Sequence, residues 1–336
     1  MGTTTIAIGY EQNLPATHPE AFIEREIDVP ELGPHDLLVE VEAVSVNPVD
    51  VKQRAGAPAD GFRVLGFDAS GTVRAVGAEV TLFAVGDEVF YAGSIDRPGT
   101  NQRLHVVDER ITGRKPTKLS FVDSAALPLT AITAWEALFD RLGLTDASTG
   151  TLLVVGATGG VGSILLQLAE VFLPNVTVVA TASDEERAAW VRGFGAEQVI
   201  NHREDIPGQI AEIAPNGVDW VFSAHSADQI ETYAQILRPF GHIVAIDDSP
   251  RDMSPLKRKS IAWHWEFMFT RPVQQTPDMI EQHRILNVVS GLVDRDLIRT
   301  TTTKTLTPIS ADTLREAHAL IEGGHTVGKV VISGWK

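Results

Sequence analysis

Val154-Val155-Gly156-Ala157-Thr158-Gly159-Gly160-Val161-Gly162 joins an apolar run to closely spaced glycines and then to a segment of helical period. Thr151 to Val155 reads as a buried strand, and Ser163 to Leu173 carries apolar residues at helical spacing until Pro174 stops it. Glycines in such a turn let the backbone approach a pyrophosphate, whose charge the N-terminus of the following helix favours. The stretch therefore nominates Gly156, Thr158, Gly159, Gly160, Val161 and Gly162 as nucleotide-holding residues. A tight turn that merely packs a helix on a sheet gives much the same spacing, so the surrounding pattern has to decide.

That pattern continues downstream as strand and helix in alternation, with Val176 to Thr181 as the second strand and Gln198 to Asn201 as the third. Ser183-Asp184-Glu185-Glu186 has the S-x-x-E form of a capping box and opens a helix to Phe194, with Gly195 at its end. Ile206–Ala214, Val218–Ser223, Ala227–Leu237 and Gly241–Asp247 then supply helix, strand, helix and strand. Five strands linked by helices predict a doubly wound parallel sheet of the α/β class. Upstream, Phe22–Val29, Leu37–Val46, Ser70–Val76 and Glu88–Tyr91 are short strand candidates broken by Pro, Gly and Asp, as in a compact β-rich domain. Leu119 to Leu142 turns helical around Pro128 and leads into the nucleotide domain. The tail holds a long helix, Met279–Val293, a β-rich stretch, Thr301–Thr307, a helix, Ala311–Ile321, and a strand, Lys329–Ile332, which together are expected to return to the first domain.

Composition removes whole classes of function. Forty-four acidic residues against 28 basic give a formal charge of -16, which repels nucleic acid and anionic membrane surfaces. The chain contains no cysteine, so disulfides, thiolate nucleophiles, iron–sulfur clusters and cysteine-bearing zinc sites all fall away. Its ten histidines lack a close metal-ligand spacing, and His318 with Glu322 reads as a solvated helix face. Met1 to Tyr10 lacks the form of a secretory signal, and no apolar run reaches the roughly 18 residues of a membrane span, which predicts a cytoplasmic protein.

Ser45-Val46-Asn47-Pro48-Val49-Asp50, Leu65-Gly66-Phe67-Asp68-Ala69-Ser70-Gly71, Val85-Gly86-Asp87-Glu88-Val89, Ala126-Leu127-Pro128-Leu129-Thr130-Ala131, the glycine turn and Val327-Gly328-Lys329-Val330-Val331 follow one another along the chain. In that order they resemble the medium-chain dehydrogenase/reductase superfamily. Within it, the chain resembles the zinc-free quinone oxidoreductase branch and the subgroup often labelled zinc-type alcohol dehydrogenase-like. The resemblance implies a GroES-like β-rich domain from residues 1–130 and 271–336, with a Rossmann domain over 131–270. Where zinc-dependent members carry a cysteine and a histidine ligand, this chain has Asn47 and Phe67, and the cysteine-rich lobe is missing. An alkoxide formed without a Lewis acid lacks charge compensation, so reduction of an electron-poor acceptor is the easier reaction.

The resemblance also assigns roles. Asn47 matches a position near the nicotinamide, with Lys52 one helical turn beyond Pro48 as a second catalytic candidate; the plainer readings are that Asn47 caps a helix and Lys52 faces solvent, while Asp50 holds the loop. Thr133 matches a cofactor contact on the linking helix, or else bonds its own backbone. His202 falls near the adenine, and Ser223, Ala224, Ile246 and Asp247 end strands where ligands of open parallel sheets lie. His225 is the histidine with a place suited to proton donation, although a wall role is the simpler one. Phe269 closes the aromatic run from Trp263, which is core or interface first and substrate wall second.

At the tip of the second strand, where NAD-specific members present an acid, this chain has Ala182, followed by Ser183 and Arg187. A guanidinium there suits a 2′-phosphate and favours NADPH, against the nearby charges of Asp184 and Glu185. The expected function is metal-free hydride transfer from NADPH to a quinone or related conjugated carbonyl. Reduction of an alkenal or enone double bond and a low-turnover NADPH-binding redox sensor are the alternatives. A homodimer formed through the nucleotide domains is implied by the resemblance alone.

Overall fold

The computed structural model describes residues 2–56, 59 and 61–336. The chain forms two compact units, one from Met1–Ile132 with Phe269–Lys336, the other from Thr133–Met268. The second unit is an inserted segment, and its sheet has six strands, all parallel: Gln198–Asn201, Val176–Ala182, Gly150–Val155, Val218–Ser223, Leu237–Ala245 and Ala262–Trp265 from edge to edge. Counted along the chain, the order is 3-2-1-4-5-6, which is the Rossmann arrangement. Leu152, Leu153 and Val154 are fully buried because helices cover both faces of the sheet, and this explains why the strand reads as a continuous apolar run. The sixth strand was not visible in the sequence pattern. Trp263, His264 and Trp265 are aromatic on both faces, so the run has no polar alternation to mark it.

The first unit carries a seven-stranded sheet in the order Thr302–Leu306, Lys329–Ser333, Asp36–Val46, Ala69–Val76, Glu88–Tyr91 and Thr112–Arg114, with Leu104–Asp108 also pairing on Asp36–Val46. A smaller sheet joins Ile23–Asp28, Thr4–Tyr10 and Arg63–Val64. Val331 lies opposite Ser45, so the last strand pairs antiparallel with one from near the start of the chain. Val39, Val41, Val44, Val73, Leu314 and Val330 share its core. This is the GroES-like β-rich architecture.

The predicted helix over Leu119–Leu142 is three pieces: Phe121–Ala125, Pro128–Trp135 and a π-helical turn over Glu136–Arg141. Pro128 starts the middle piece, where its missing N–H costs nothing.

His318 does not lie on a solvated face, although Glu322 on the same helix is exposed. Their helix, Ala311–Glu322, packs on the helix Pro48–Gly56, and His318 is 0% exposed. Its ring meets Phe22 edge-on at 4.7 Å and accepts from buried Arg54 Nε at 3.4 Å, while Glu322 pairs with the same guanidinium. Burial, and then the Arg54 charge, lower the His318 pKa to about 3. Helical spacing could not reveal this, because a histidine on a helix face and one stacked on a neighbouring ring have the same period.

Candidate functional site

The glycine turn leaves the first strand of the parallel sheet at Gly156, whose φ of +82° suits a residue without Cβ. Thr181 in the neighbouring strand accepts from Gly156 N at 3.2 Å and donates to Val154 O at 3.3 Å, pinning the turn to the sheet. Gly162 is required by packing, since a Cβ there would lie 2.5 Å from Ala157 Cα and 2.6 Å from Gly156 O. Gly159 is different. It caps the helix Gly160–Phe172 with extended backbone (φ -73°, ψ 172°), and a Cβ on it would meet nothing nearer than Gly156 O at 3.4 Å. The protein itself does not need glycine there, whereas a ligand drawn close to the backbone does. The helix end has no side-chain cap and no acid in its first turn, so its amides face the turn uncompensated. Thr158, Gly160 and Val161, half-buried, complete the rim.

At the tip of the second strand the capping assignment shifts by one residue. The helix is Glu185–Arg192, and its cap is Asp184, not Ser183. The Asp184 carboxylate accepts from Arg187 N at 3.0 Å, from Ser183 Oγ at 2.9 Å and from the Arg187 guanidinium. A carboxylate caps as well as a serine and also pairs with the positive charge one turn on. The Arg187 backbone N–H, then the Ser183 hydroxyl and the Arg187 side chain, hold the Asp184 pKa down to about 2. His202 follows the third strand; its pKa is lowered first by desolvation, then by the charges of Arg203, His225 and Arg187. Arg187, Arg203 and His202 therefore gather at the tips of adjacent strands.

Past the fourth and fifth strands, the side chains chosen from the sequence are mostly fasteners. Ser223 is fully buried and its hydroxyl bonds Tyr233 OH at 2.8 Å. Asp247 accepts from Ser226 Oγ at 2.7 Å and Ser226 N at 3.2 Å. Burial would raise its pKa, but these bonds and the Arg251 charge hold it below the usual value. Arg251, a residue the sequence reading passed over, lies 5.0 Å and 4.6 Å from the ring centroids of Trp263 and Trp265. Ala224 N donates to Val155 O and Ile246 N to Ser223 O, which leaves both residues as backbone walls of the strand ends. A Cβ on Gly156 would meet Ala224 Cβ at 2.9 Å, with exposed His225 next nearest.

In the first unit, Asn47 and Lys52 are not brought together. Lys52 is exposed on the helix Pro48–Gly56, while Asn47 is buried with its amide committed. Asn47 Nδ2 donates to Asp68 Oδ2 at 2.8 Å, and Asn47 Oδ1 accepts from Lys329 Nζ. The amide thus holds Asp68 and Lys329 in place, with both its nitrogen and its oxygen bonded inside the protein. Lys329 also bonds Asp68 Oδ2 at 3.0 Å and Val46 O at 3.3 Å. Asp50 holds the loop as expected, accepting from Asn47 N at 2.8 Å and Gly66 N at 3.0 Å. Burial raises its pKa to about 7 against those bonds and the Lys329 charge, and burial likewise raises that of Asp68. Phe269 packs in this unit, edge-on to Phe67 at 5.2 Å and buried, so its ring belongs to the core. Thr133, buried on the linking helix, begins the second unit.

Zinc does not fit these residues. The two positions that resemble zinc ligands hold a committed amide and a packed phenyl ring, and the adjacent Asp68 is already bonded to an ammonium. A dication placed there would meet the Lys329 charge directly. Lys329 stands in the motif Val327-Gly328-Lys329-Val330-Val331 but had no role assigned from the sequence, because only the fold brings the last strand beside Asn47.

Residues 33–114 match the alcohol dehydrogenase GroES-like domain family, and residues 160–270 match the zinc-binding dehydrogenase family. A Rhizobium etli protein provisionally described as a zinc-dependent alcohol dehydrogenase has a crystal structure that superposes with a TM-score of 0.96 at 48% identity, covering 100% of both chains. A zinc-type alcohol dehydrogenase-like protein of Staphylococcus epidermidis is 37% identical over 97% of this chain and 99% of its own. A chloroplastic quinone-oxidoreductase homolog of Spinacia oleracea is 26% identical over 93% of this chain and 94% of its own. Both halves of the fold and relatives matched along their full length lead to one conclusion: the chain is an oxidoreductase of the medium-chain dehydrogenase/reductase superfamily.

Proposed function

We propose that the protein binds NADPH on the six-stranded sheet and reduces a quinone or a related conjugated carbonyl without a metal ion. The observation that carries this reading is Gly159, a position where the protein tolerates a Cβ and a closely bound pyrophosphate does not. Bound NADPH supplies the hydride, and the quinone that accepts it takes up a proton to become a hydroquinone. Gly156, Thr158, Gly159, Gly160, Val161 and Gly162 hold the pyrophosphate at the uncapped helix end. Arg187, with Arg203 and His202 close by, supplies positive charge for a 2′-phosphate, while the Asp184 carboxylate is occupied by its own helix and so competes less for a ribose hydroxyl. Ser223, Ala224, Ile246 and Asp247 shape the wall through backbone and packing. Thr133 contacts the cofactor from the linking helix, and exposed Lys52 stays the second catalytic candidate.

The spinach quinone-oxidoreductase homolog supports the substrate class, and the misfit of zinc supports an acceptor that needs no Lewis acid. The strand Ala262–Trp265 ends the sheet, and Trp265 and Phe267 are 55% and 48% exposed, which supports a homodimer joined along that edge. Among the described residues no helix is long and apolar enough to cross a membrane. We place the enzyme in the cytoplasm. Stopped-flow loss of NADPH absorbance with a panel of quinones and enones tests the activity, with product analysis separating carbonyl from double-bond reduction. Turnover no faster than the protein-free rate, despite tight NADPH binding, would replace this reading with that of a redox sensor.

A further inference from the structure

The helix Pro128–Trp135 begins in the first unit and carries Thr133 into the second. Pro128 has no N–H, so Leu129 supplies the first amide donor of that helix end. Leu129 N donates to Asp68 Oδ1 at 2.8 Å, a residue remote in sequence that immediately precedes the strand Ala69–Val76. The other oxygen of Asp68 accepts from Asn47 Nδ2 at 2.8 Å and Lys329 Nζ at 3.0 Å. Asp68 is 0% exposed and Lys329 3%, so the carboxylate caps the helix in a place where, lacking a partner, it would take a proton. The charged groups around it are Lys329 and, acting through space, Asp50. Thr133 lies four residues beyond Leu129 and so on the same face of the helix.

We propose that Lys329 is a positioning residue for the cofactor site: its ammonium keeps Asp68 as the anionic cap of the linking helix, and the capped helix fixes Thr133. The inference rests on the proposed binding of NADPH. The experiment is isothermal titration of NADPH into wild type, Lys329→Met, Thr133→Ala and the double variant, with kcat and the NADPH KM measured on the same preparations. Wild-type binding tests the functional reading itself; the differences between variants test the role of Lys329. The expected result is that Lys329→Met weakens NADPH about fivefold, the size of one lost helix cap, and raises its KM alike while kcat at saturation stays within about twofold. In the Thr133→Ala background, Lys329→Met then adds little, because both changes remove one contact. Additive losses, or an unchanged affinity in a folded Lys329→Met protein, would overturn the proposal. Should Lys329→Met fail to fold, Asp68→Asn is read on the same scale with the same expected coupling to Thr133. Failure of both to fold would also overturn it, since the network would then serve folding and not the site.

Discussion

Gly159 and Gly162 lie three residues apart in one turn, yet the structure gives them opposite reasons for being glycine. At Gly162 a methyl group would press on Ala157 Cα and Gly156 O at 2.5 and 2.6 Å, so Gly162→Ala is expected to destabilise the fold by about 1–3 kcal/mol in urea unfolding. At Gly159 the space is open, and Gly159→Ala should cost under about 1 kcal/mol of stability while weakening NADPH at least about tenfold. Equal affinity in Gly159→Ala and wild type would remove the main support for the nucleotide site. Arg187→Ala should weaken NADPH by about tenfold and leave NADH nearly unchanged, since a charge-assisted bond to a 2′-phosphate exists for one cofactor only. Equal losses for both would instead assign Arg187 to holding the Asp184 cap. The glycines were legible in the sequence because turn chemistry is local. Which of them served a ligand was not, because that depends on what surrounds each Cβ.

The two segments that join the units carry a buried acid pair, Glu136 at the start of the π-helical turn and Glu266 after the sixth strand. Burial, and then hydrogen bonding and charge from Glu136, push the Glu266 pKa up to about 10, with Arg141 opposing from 3.0 Å. The folded protein therefore keeps a proton that the unfolded chain releases near pH 4.5. This contribution to stability is full below that pH and is lost as pH rises through about 10. Urea midpoints measured from pH 6 to 9.5 should fall for wild type and fall less for Glu266→Gln; parallel curves would show that the pair does not titrate there. Elements with a helical period were legible in the sequence, including Gly160–Phe172 and Ala311–Glu322, and Gly150–Val155 was legible as a short continuous apolar run ahead of the glycines. Thr4–Tyr10 and Ala262–Trp265 were not, since neither alternates cleanly between apolar and polar residues. Ser183 and Asp184 are both good caps, and only the backbone extension at Asp184 decides between them.

Across the whole molecule, the net charge of -16 and the absence of cysteine bear on what the protein avoids, while the inserted parallel sheet bears on what it binds. The sheet ends on a strand flanked by exposed aromatic side chains, so light scattering should give a mass near twice 36.3 kDa, and Trp265→Asp should return it toward the monomer. A monomeric wild type would contradict that assembly. The buried Lys329–Asp68–Asn47 network joins the last strand, the residue that follows Asp36–Val46 and the linking helix; each member falls in one of the sequence motifs, but only the fold shows that they meet. The proposed reaction depends most on a nicotinamide nucleotide seated at the glycine turn. Calorimetric titration of the purified protein with NADPH and with NADH, in the presence of a chelator, measures this directly. One NADPH bound per chain, more tightly than NADH and with no need for added metal, is the predicted result; association of neither nucleotide, or association only after zinc is supplied, would contradict it.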